Sequence, residues 1–321
     1  GIRDHCVTGV QTCALPIQRV LFVGIPDMAY VCLDGLLQAG VNIVGVMGPK
    51  KTHGTYEPFK RFALSRNMNF IEWDDLKTPM FIDYIKSLDI DVAVVSSFNY
   101  KIPKELLEAT KAGFINIHPS LLPKYRGGNP YSTVIMNGEK ETGVTLHFMD
   151  EGFDTGDIIA QKTVQIAPLE TMGTLFNRLN FLGMQMLVAV LAQFEKGDLP
   201  RRKQPEGEFI EGKSIKENDL FIDYTKSAIE VDRFIRALNP FLIASTTFRD
   251  NMIKIFMSEV VKGNSSKYKA GEIAKVEKDK FLIATGNGFI SPTAIQFGSF
   301  FVGNAQDFIK ILAPKVGEVF K

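Results

Sequence analysis

Phe114-Ile115-Asn116-Ile117-His118-Pro119-Ser120-Leu121-Leu122-Pro123-Lys124-Tyr125-Arg126-Gly127 carries an apolar run directly into a polar, proline-stiffened loop. Its first five residues read as a short buried strand, which ends at Pro119. Similar runs precede it at 19–24, 41–47 and 69–73, followed by the β-branched run 91–97. Between them, 28–38 shows helical spacing and stops at Gly40, and 79–88 is predicted helical with Met80, Phe81, Tyr84, Ile85 and Leu88 on one face. Strands alternating with helices imply an α/β, Rossmann-like, doubly wound and mostly parallel sheet. Such sheets bind ligands beyond the carboxyl ends of their strands. The segment 116–127 falls at one of those ends.

Asn116 and His118 are two residues apart, so on a strand both side chains leave the same face. A further strand-like run, 143–149, precedes Asp154 in Phe153-Asp154-Thr155-Gly156. If the two strands are neighbours, a carboxamide, an imidazole and a carboxylate reach one pocket. An isolated Asn-x-His needs nothing beyond a strand end whose side chains satisfy backbone groups. The attached Ser-Leu-Leu-Pro-x-Tyr-Arg-Gly loop tells against that plain reading here.

The Asn-x-His-x-Ser-Leu-Leu-Pro-x-Tyr-Arg-Gly run, with His147-Phe148 and Asp154-Thr155-Gly156, resembles the folate-dependent formyltransferases. The resemblance extends over about 20–194. A weaker one, from about residue 219 to the last, is to the second domain of the branch acting on methionyl-tRNA. It is carried by Asp223-Tyr224, Arg236-Ala237-Leu238-Asn239-Pro240-Phe241, Ile253-Lys254-Ile255-Phe256 and Ala284-Thr285-Gly286-Asn287-Gly288. The resemblance implies transfer of a formyl group from 10-formyltetrahydrofolate, a co-substrate, to a primary amine. Formyl transfer is acyl transfer and needs an oxyanion donor, a proton acceptor and a charge that tunes the imidazole. Asn116 would donate to the oxyanion. His118 would bond the same oxyanion and pass the proton to the leaving nitrogen. Asp154 would raise the pKa of His118 from its ordinary value of about 6.5.

By the same resemblance Phe98, Asn99, Tyr100 and Ile102 line a pterin pocket with Glu151, Gly152 and Phe153. For Phe98 and Tyr100 alone, core packing is an equal reading. Ser120, Leu121, Leu122, Pro123, Lys124, Tyr125, Arg126, Gly127, Gly128 and Asn129 form the acceptor loop. The two prolines stiffen it and the two glycines permit close backbone approach. Many relatives carry Ala-Ala-Pro or Arg-Ala-Pro after the first glycine, where this chain has Gly128-Asn129-Pro130. His147 reads as a structural histidine near the site rather than a second base. His53 and its basic neighbours Lys50 and Lys51 sit in a loop that reads either as solvated or as a phosphate contact.

The second-domain motifs favour initiator methionyl-tRNA as acceptor. The short loop 47–57 lacks the basic insertion usual in that branch, and Phe241-Leu242 replaces the usual Trp-Pro. The alternatives are a 4-amino-sugar nucleotide as acceptor, or hydrolysis of 10-formyltetrahydrofolate with water in place of the amine.

Composition agrees with a soluble two-domain enzyme. The 321 residues are 45% hydrophobic and 23% charged, with a net charge of +1 that argues against a strong polyanion field. From Arg201 onward 19 Lys+Arg face 15 Asp+Glu, a mildly basic second part. The expected division is a non-native leader over 1–17, a catalytic domain over 18–196, a linker over 197–218 rich in charge, Pro and Gly, and a C-terminal β-barrel, OB-like, over 219–321. No uninterrupted apolar run approaches membrane-spanning length. Cys6, Cys13 and Cys32 have neither disulfide nor zinc spacing, which suits a reducing cytoplasm. No metal is expected. Gly24-Ile25-Pro26-Asp27-Met28 is not a dinucleotide fingerprint, so no nicotinamide or flavin is expected either. The chain is expected to act as a monomer, with no membrane partner.

Overall fold

The computed structural model describes residues 18–25, 28–50, 56–98, 100–194, 197, 199–206, 210–212, 215–298 and 301–321. Residues 1–17, expected to be a non-native leader, Asn99 and His53 lie outside the described residues. The chain divides into two compact units, Gly1–Ile117 with Met184–Arg201, and His118–Gly183 with Arg202–Lys321.

In the first unit β1 (Val20–Gly24), β2 (Ile43–Pro49), β3 (Phe70–Trp73), β4 (Val92–Ser96) and β5 (Phe114–His118) pair in parallel, in the order β3-β2-β1-β4-β5. The order reverses at β1, as in a doubly wound sheet. Four helices connect the strands: α1 (Met28–Gln38), α2 (Tyr56–Ser65), α3 (Pro79–Ser87) and the single turn α4 (Lys104–Leu107). Val20–Val23 and Val92–Val95 are fully buried, so these strands read as continuous apolar runs rather than alternating ones. Each such side chain contributes about 1.5–3 kcal/mol by leaving water.

Two local differences from the sequence reading have plain causes. β2 starts at Ile43, not at residue 41, because Gly40 (φ 78°) and Val41 close the end of α1: their N–H groups bond the carbonyls of Leu37 and Leu36. Helix α2 was not expected. Pro58 obscures it, yet lies in the first turn, where no intrahelical N–H is missed, and Tyr56, Phe59 and Ala63 face inward at helical spacing.

The second unit begins with β6 (Lys124–Gly127), α5 (Pro130–Met136) and the antiparallel pair β7 (Glu141–Phe148) and β8 (Ile158–Gln165). Helix α6 (Met172–Phe194) follows, and its part from Met184 belongs to the first unit. By length and composition α6 is apolar enough to cross a membrane, although polar residues interrupt its apolar run. Asn177, Gln185 and the charged Arg178, which pairs with Glu170, interrupt the run. Leu175, Leu179, Leu187, Val190 and Leu191 are buried in the protein, the inward row of a core helix.

The stretch expected to be linker contributes β9 (Ile210–Gly212), which pairs in parallel with β6. After α7 (Ala228–Leu238), whose N-terminus carries a Ser227/Glu230 capping box, come β10 (Ala244–Phe248), β11 (Asn251–Val261), β12 (Ile273–Val276), β13 (Phe281–Ala284), β14 (Phe289–Phe297), β15 (Phe301–Gly303) and α8 (Ala305–Leu312). The strands run β10-β11-β14-β13-β12, with β15 on β14. The tail 317–321 closes this path. It bonds β12 and its approach through Gly317, Glu318 and Phe320, at 2.8–2.9 Å, and β10 through the reciprocal Thr247–Lys321 pair, at 2.7 and 3.0 Å. The barrel core stacks Phe248, Phe281, Phe308 and Phe320, with ring centroids 4.6–6.0 Å apart. Helix α8 was not foreseen, since only Phe308 and Ala305 of it are buried; an Asn304/Asp307 capping box starts it.

Candidate active site

β5 ends on His118, which is buried. The chain then turns through Ser120, whose hydroxyl donates to the Lys124 carbonyl at 2.7 Å, and the cis peptide Leu122-Pro123. The Leu122 N–H donates to Thr145 Oγ1 (3.2 Å), whose hydroxyl donates to the Ser120 carbonyl at 2.7 Å. The Gln161 amide bonds the Leu122 carbonyl at 3.0 Å and Thr145 Oγ1 at 2.9 Å. Side chains of β7 and β8 thus pin the loop. The expected loop 120–129 is therefore not all loop: 124–127 is the strand β6. Tyr125 (φ 62°) and Gly127 (φ 87°) both take left-handed backbone there, and the Tyr125 hydroxyl donates to Glu139 at 2.5 Å. Asn129, also left-handed at φ 57°, caps α5 through its backbone and not its side chain. Leu121 is half-buried ahead of the strand, and Gly128, which follows it, is exposed.

Asp154 lies on the turn between β7 and β8 at φ 55°, a conformation that costs a non-glycine residue about 1 kcal/mol or more. The contacts of its carboxylate account for that strain. Oδ2 accepts the Gly127 N–H at 2.8 Å and lies 3.5 Å from His118 Nδ1, while Oδ1 lies 3.5 Å from His147 Nε2. Both rings are buried and each is anchored at its other nitrogen: His118 Nε2 to the Tyr125 carbonyl and His147 Nδ1 to the Phe148 carbonyl, both at 2.8 Å. A carbonyl only accepts, so each of those nitrogens carries a proton. The nitrogen of His118 that can take a second proton is then Nδ1, beside the carboxylate.

Burial pushes the His118 imidazole below its ordinary 6.5, and the upward pull of Asp154 does not overcome it. This reverses the expectation of a raised pKa: the sequence shows the carboxylate but not the depth of the ring. For Asp154 burial acts upward, and His118, His147 and the Gly127 N–H together outweigh it, holding the carboxyl well below the usual range. At neutral pH the site therefore sets an ionised Asp154 beside a neutral His118 imidazole.

Asn116 lies two residues before His118 on β5 and is half-buried. Phe98 and Tyr100 pack edge-on against Trp73 in the first unit, at 5.6 and 6.0 Å, and Ile102 is core. Trp73 was not foreseen in this cluster; its place at the end of a predicted strand was the available signal. Glu151, Gly152 and Phe153 are exposed on the turn before Asp154, in the second unit. A Cβ on Gly152 would meet Thr155 Oγ1 at 2.0 Å, so a larger residue there would displace the Thr155 hydroxyl from Asp150. A residue missed altogether is Gln204. Its Nε2 donates to the carbonyls of Asp154 (2.7 Å) and Gly156 (2.9 Å), and its Oε1 accepts from the Arg126 guanidinium at 2.7 and 3.1 Å. Among the described residues no cluster of His, Cys, Asp or Glu has the makings of a metal site.

Residues 34–191 match the formyl transferase family and 214–312 the formyl transferase C-terminal domain. The chain belongs to the formyltransferase family and is an enzyme of that class. Within it, the chain is 38% identical over 273 residues to a methionyl-tRNA formyltransferase of Clostridioides difficile, covering 83% of this chain and 88% of that one. It is 35% identical over 284 residues to the methionyl-tRNA formyltransferase of Agathobacter rectalis, at 87% and 91% coverage. The fold matches the N-formyltransferase from Helicobacter canadensis, solved with folinic acid and dTDP-3-aminofucose. That match has a TM-score of 0.65 at 21% identity, over 88% of this chain and all of the other.

Proposed function

We propose that this chain transfers the formyl group of 10-formyltetrahydrofolate to the amino group of initiator methionyl-tRNA, in the cytoplasm and as a monomer. One observation carries the reading: over both family domains its relatives bear that name, and the residues matching the formyltransferase motif put His118 against Asp154. We take the catalytic domain as 18–196, the connecting segment as 197–218 and the second domain as 219–321, in keeping with the two matched stretches.

The folate supplies an activated one-carbon acyl group; the rest is the chain's own work. The amine nitrogen bonds the formyl carbon, and the bond from that carbon to the folate nitrogen breaks. Asn116 offers its amide N–H to the oxygen that becomes negative between those events. His118, neutral because it is buried, takes the proton that the amine sheds and returns it to the departing nitrogen. Asp154 stays ionised throughout and stabilises the imidazolium that forms beside it. Phe98, Asn99, Tyr100 and Ile102, with Glu151, Gly152 and Phe153, are the residues we assign to the folate; the aromatic faces of the Trp73 cluster suit a planar ring. The segment 120–129 is assigned to the acceptor.

The test is tetrahydrofolate release from 10-formyltetrahydrofolate with charged initiator tRNA, with 4-amino-sugar nucleotides, and with no amine. Release that depends on the charged tRNA is expected. Release only with the sugar nucleotide would overturn the acceptor, and release at an equal rate without any amine would make the protein a hydrolase.

A further inference from the structure

Residues 202–206 read as linker, yet Arg202 and Gln204 fix this segment against the site. Arg202 and Ile158 exchange two backbone hydrogen bonds, at 2.8 and 3.0 Å, which lay this segment along the start of β8. Gln204, two residues on, returns to the same side of the extended chain. Pro205 follows it and favours an extended backbone at Gln204. The Gln204 carboxamide uses both ends: the nitrogen spans the carbonyls of Asp154 and Gly156, and the oxygen receives two donors of the Arg126 fork. One of those carbonyls belongs to the left-handed residue whose carboxylate faces both histidines. Arg126 lies on β6, one residue before the N–H that the same carboxylate accepts. The amide therefore braces the Asp154 turn from behind and β6 from the side.

We propose that Gln204 is a positioning residue for formyl transfer: it holds the Asp154 turn and locks it to Arg126, so that the acceptor strand and the carboxylate keep one geometry. This rests on reading Asp154 as the partner of His118. Displacing a catalytic group by about 1 Å costs on the order of 10²-fold in rate.

The deciding variant is Gln204→Met. It keeps the length of the side chain, brings no charge toward His118, and removes the bridging donor and the oxygen that Arg126 uses. With 10-formyltetrahydrofolate and charged initiator tRNA, kcat is expected to fall roughly 10–100-fold, with the acceptor KM within about threefold of wild type. The acidic limb of the kcat–pH profile is expected to move to lower pH, because a displaced Asp154 no longer lifts His118. Gln204→Ala should do the same; if it fails to fold, the Met variant decides. Wild-type kcat and pH limb in the Met variant would overturn the proposal. A fall in kcat with an unmoved limb and a lowered Tm would also overturn it, leaving Gln204 merely structural. Absence of transfer in the wild-type protein would sink the functional reading instead. The NMR titration of His118 in wild type against Gln204→Met then decides positioning by itself, with a downward shift supporting it and no shift overturning it.

Discussion

His118 and His147 occupy nearly the same surroundings. Each ring is buried, each gives one nitrogen to a backbone carbonyl at 2.8 Å, and each sets the other 3.5 Å from an oxygen of Asp154. What separates them is the strand. His118 closes β5 two residues after Asn116 and opens the motif loop, whereas His147 lies within β7 and is followed by the strand's last residue. Proximity to a carboxylate does not assign a catalytic role; the neighbour along the strand does. In the proposed mechanism Asp154 then has two tasks: to stabilise charge on one ring and to hold the other in place.

The strongest way to break this comparison is His118→Ala. Loss of general acid–base catalysis should lower kcat by about 10²–10⁴-fold while circular dichroism stays that of a folded protein. Turnover within tenfold of wild type would remove His118 from the mechanism. Asp154→Asn should come next, with a fall of about 10²-fold. It should also shift the acidic limb of the kcat–pH profile downward, because a cause that raises the His118 pKa has gone. An upward shift would contradict the geometry. His147→Asn should cost about tenfold or less; a loss equal to that of His118→Ala would make the two rings equivalent and dissolve the comparison.

Acid should weaken the fold through the same group. The folded-state pKa of His118 is lowered, so as pH falls below about 6.5 the unfolded chain binds its proton first. The stabilisation is whole above that pH and declines as pH drops toward the folded value. Asp154, also lowered, adds a second decline below its ordinary 3.8. Urea midpoints at pH 7.5, 5.5 and 4.5 should descend, and His118→Gln should flatten the first step. The smallest effect on chemistry is expected from Phe320→Ala, in the barrel. It should cost about 3–5 kcal/mol of stability and leave kcat near wild type where the protein remains folded.

Much of this was legible in the residues. The alternating strands and helices of the first unit follow from uninterrupted apolar runs such as 92–95, and Asn116, His118 and Asp154 follow from one motif. What escaped was set by packing rather than pattern. Residues 199–212 carry charge, proline and glycine, the chemistry of a tether, and nothing in that composition announces that Arg202 pairs with Ile158 or that β9 pairs with β6. Helix α2 was hidden by a proline that its first turn tolerates. The direction of the His118 shift was hidden because burial is a property of three dimensions, and here it exceeds the neighbouring charge that the sequence does display.

The closing role of 317–321 bears on how the protein is made. β10 and β12 each have an edge that residues 317–321 bond, through Thr247 on one side and Gly271 and Ile273 on the other, and Ile222 shares the β10 edge by donating its N–H to the Ser245 carbonyl. During synthesis β10 and β12 leave the ribosome before residues 317–321 do. β10 can pair at once with β11, but the bonds that join the edges of β10 and β12 form only after residues 317–321 have been translated.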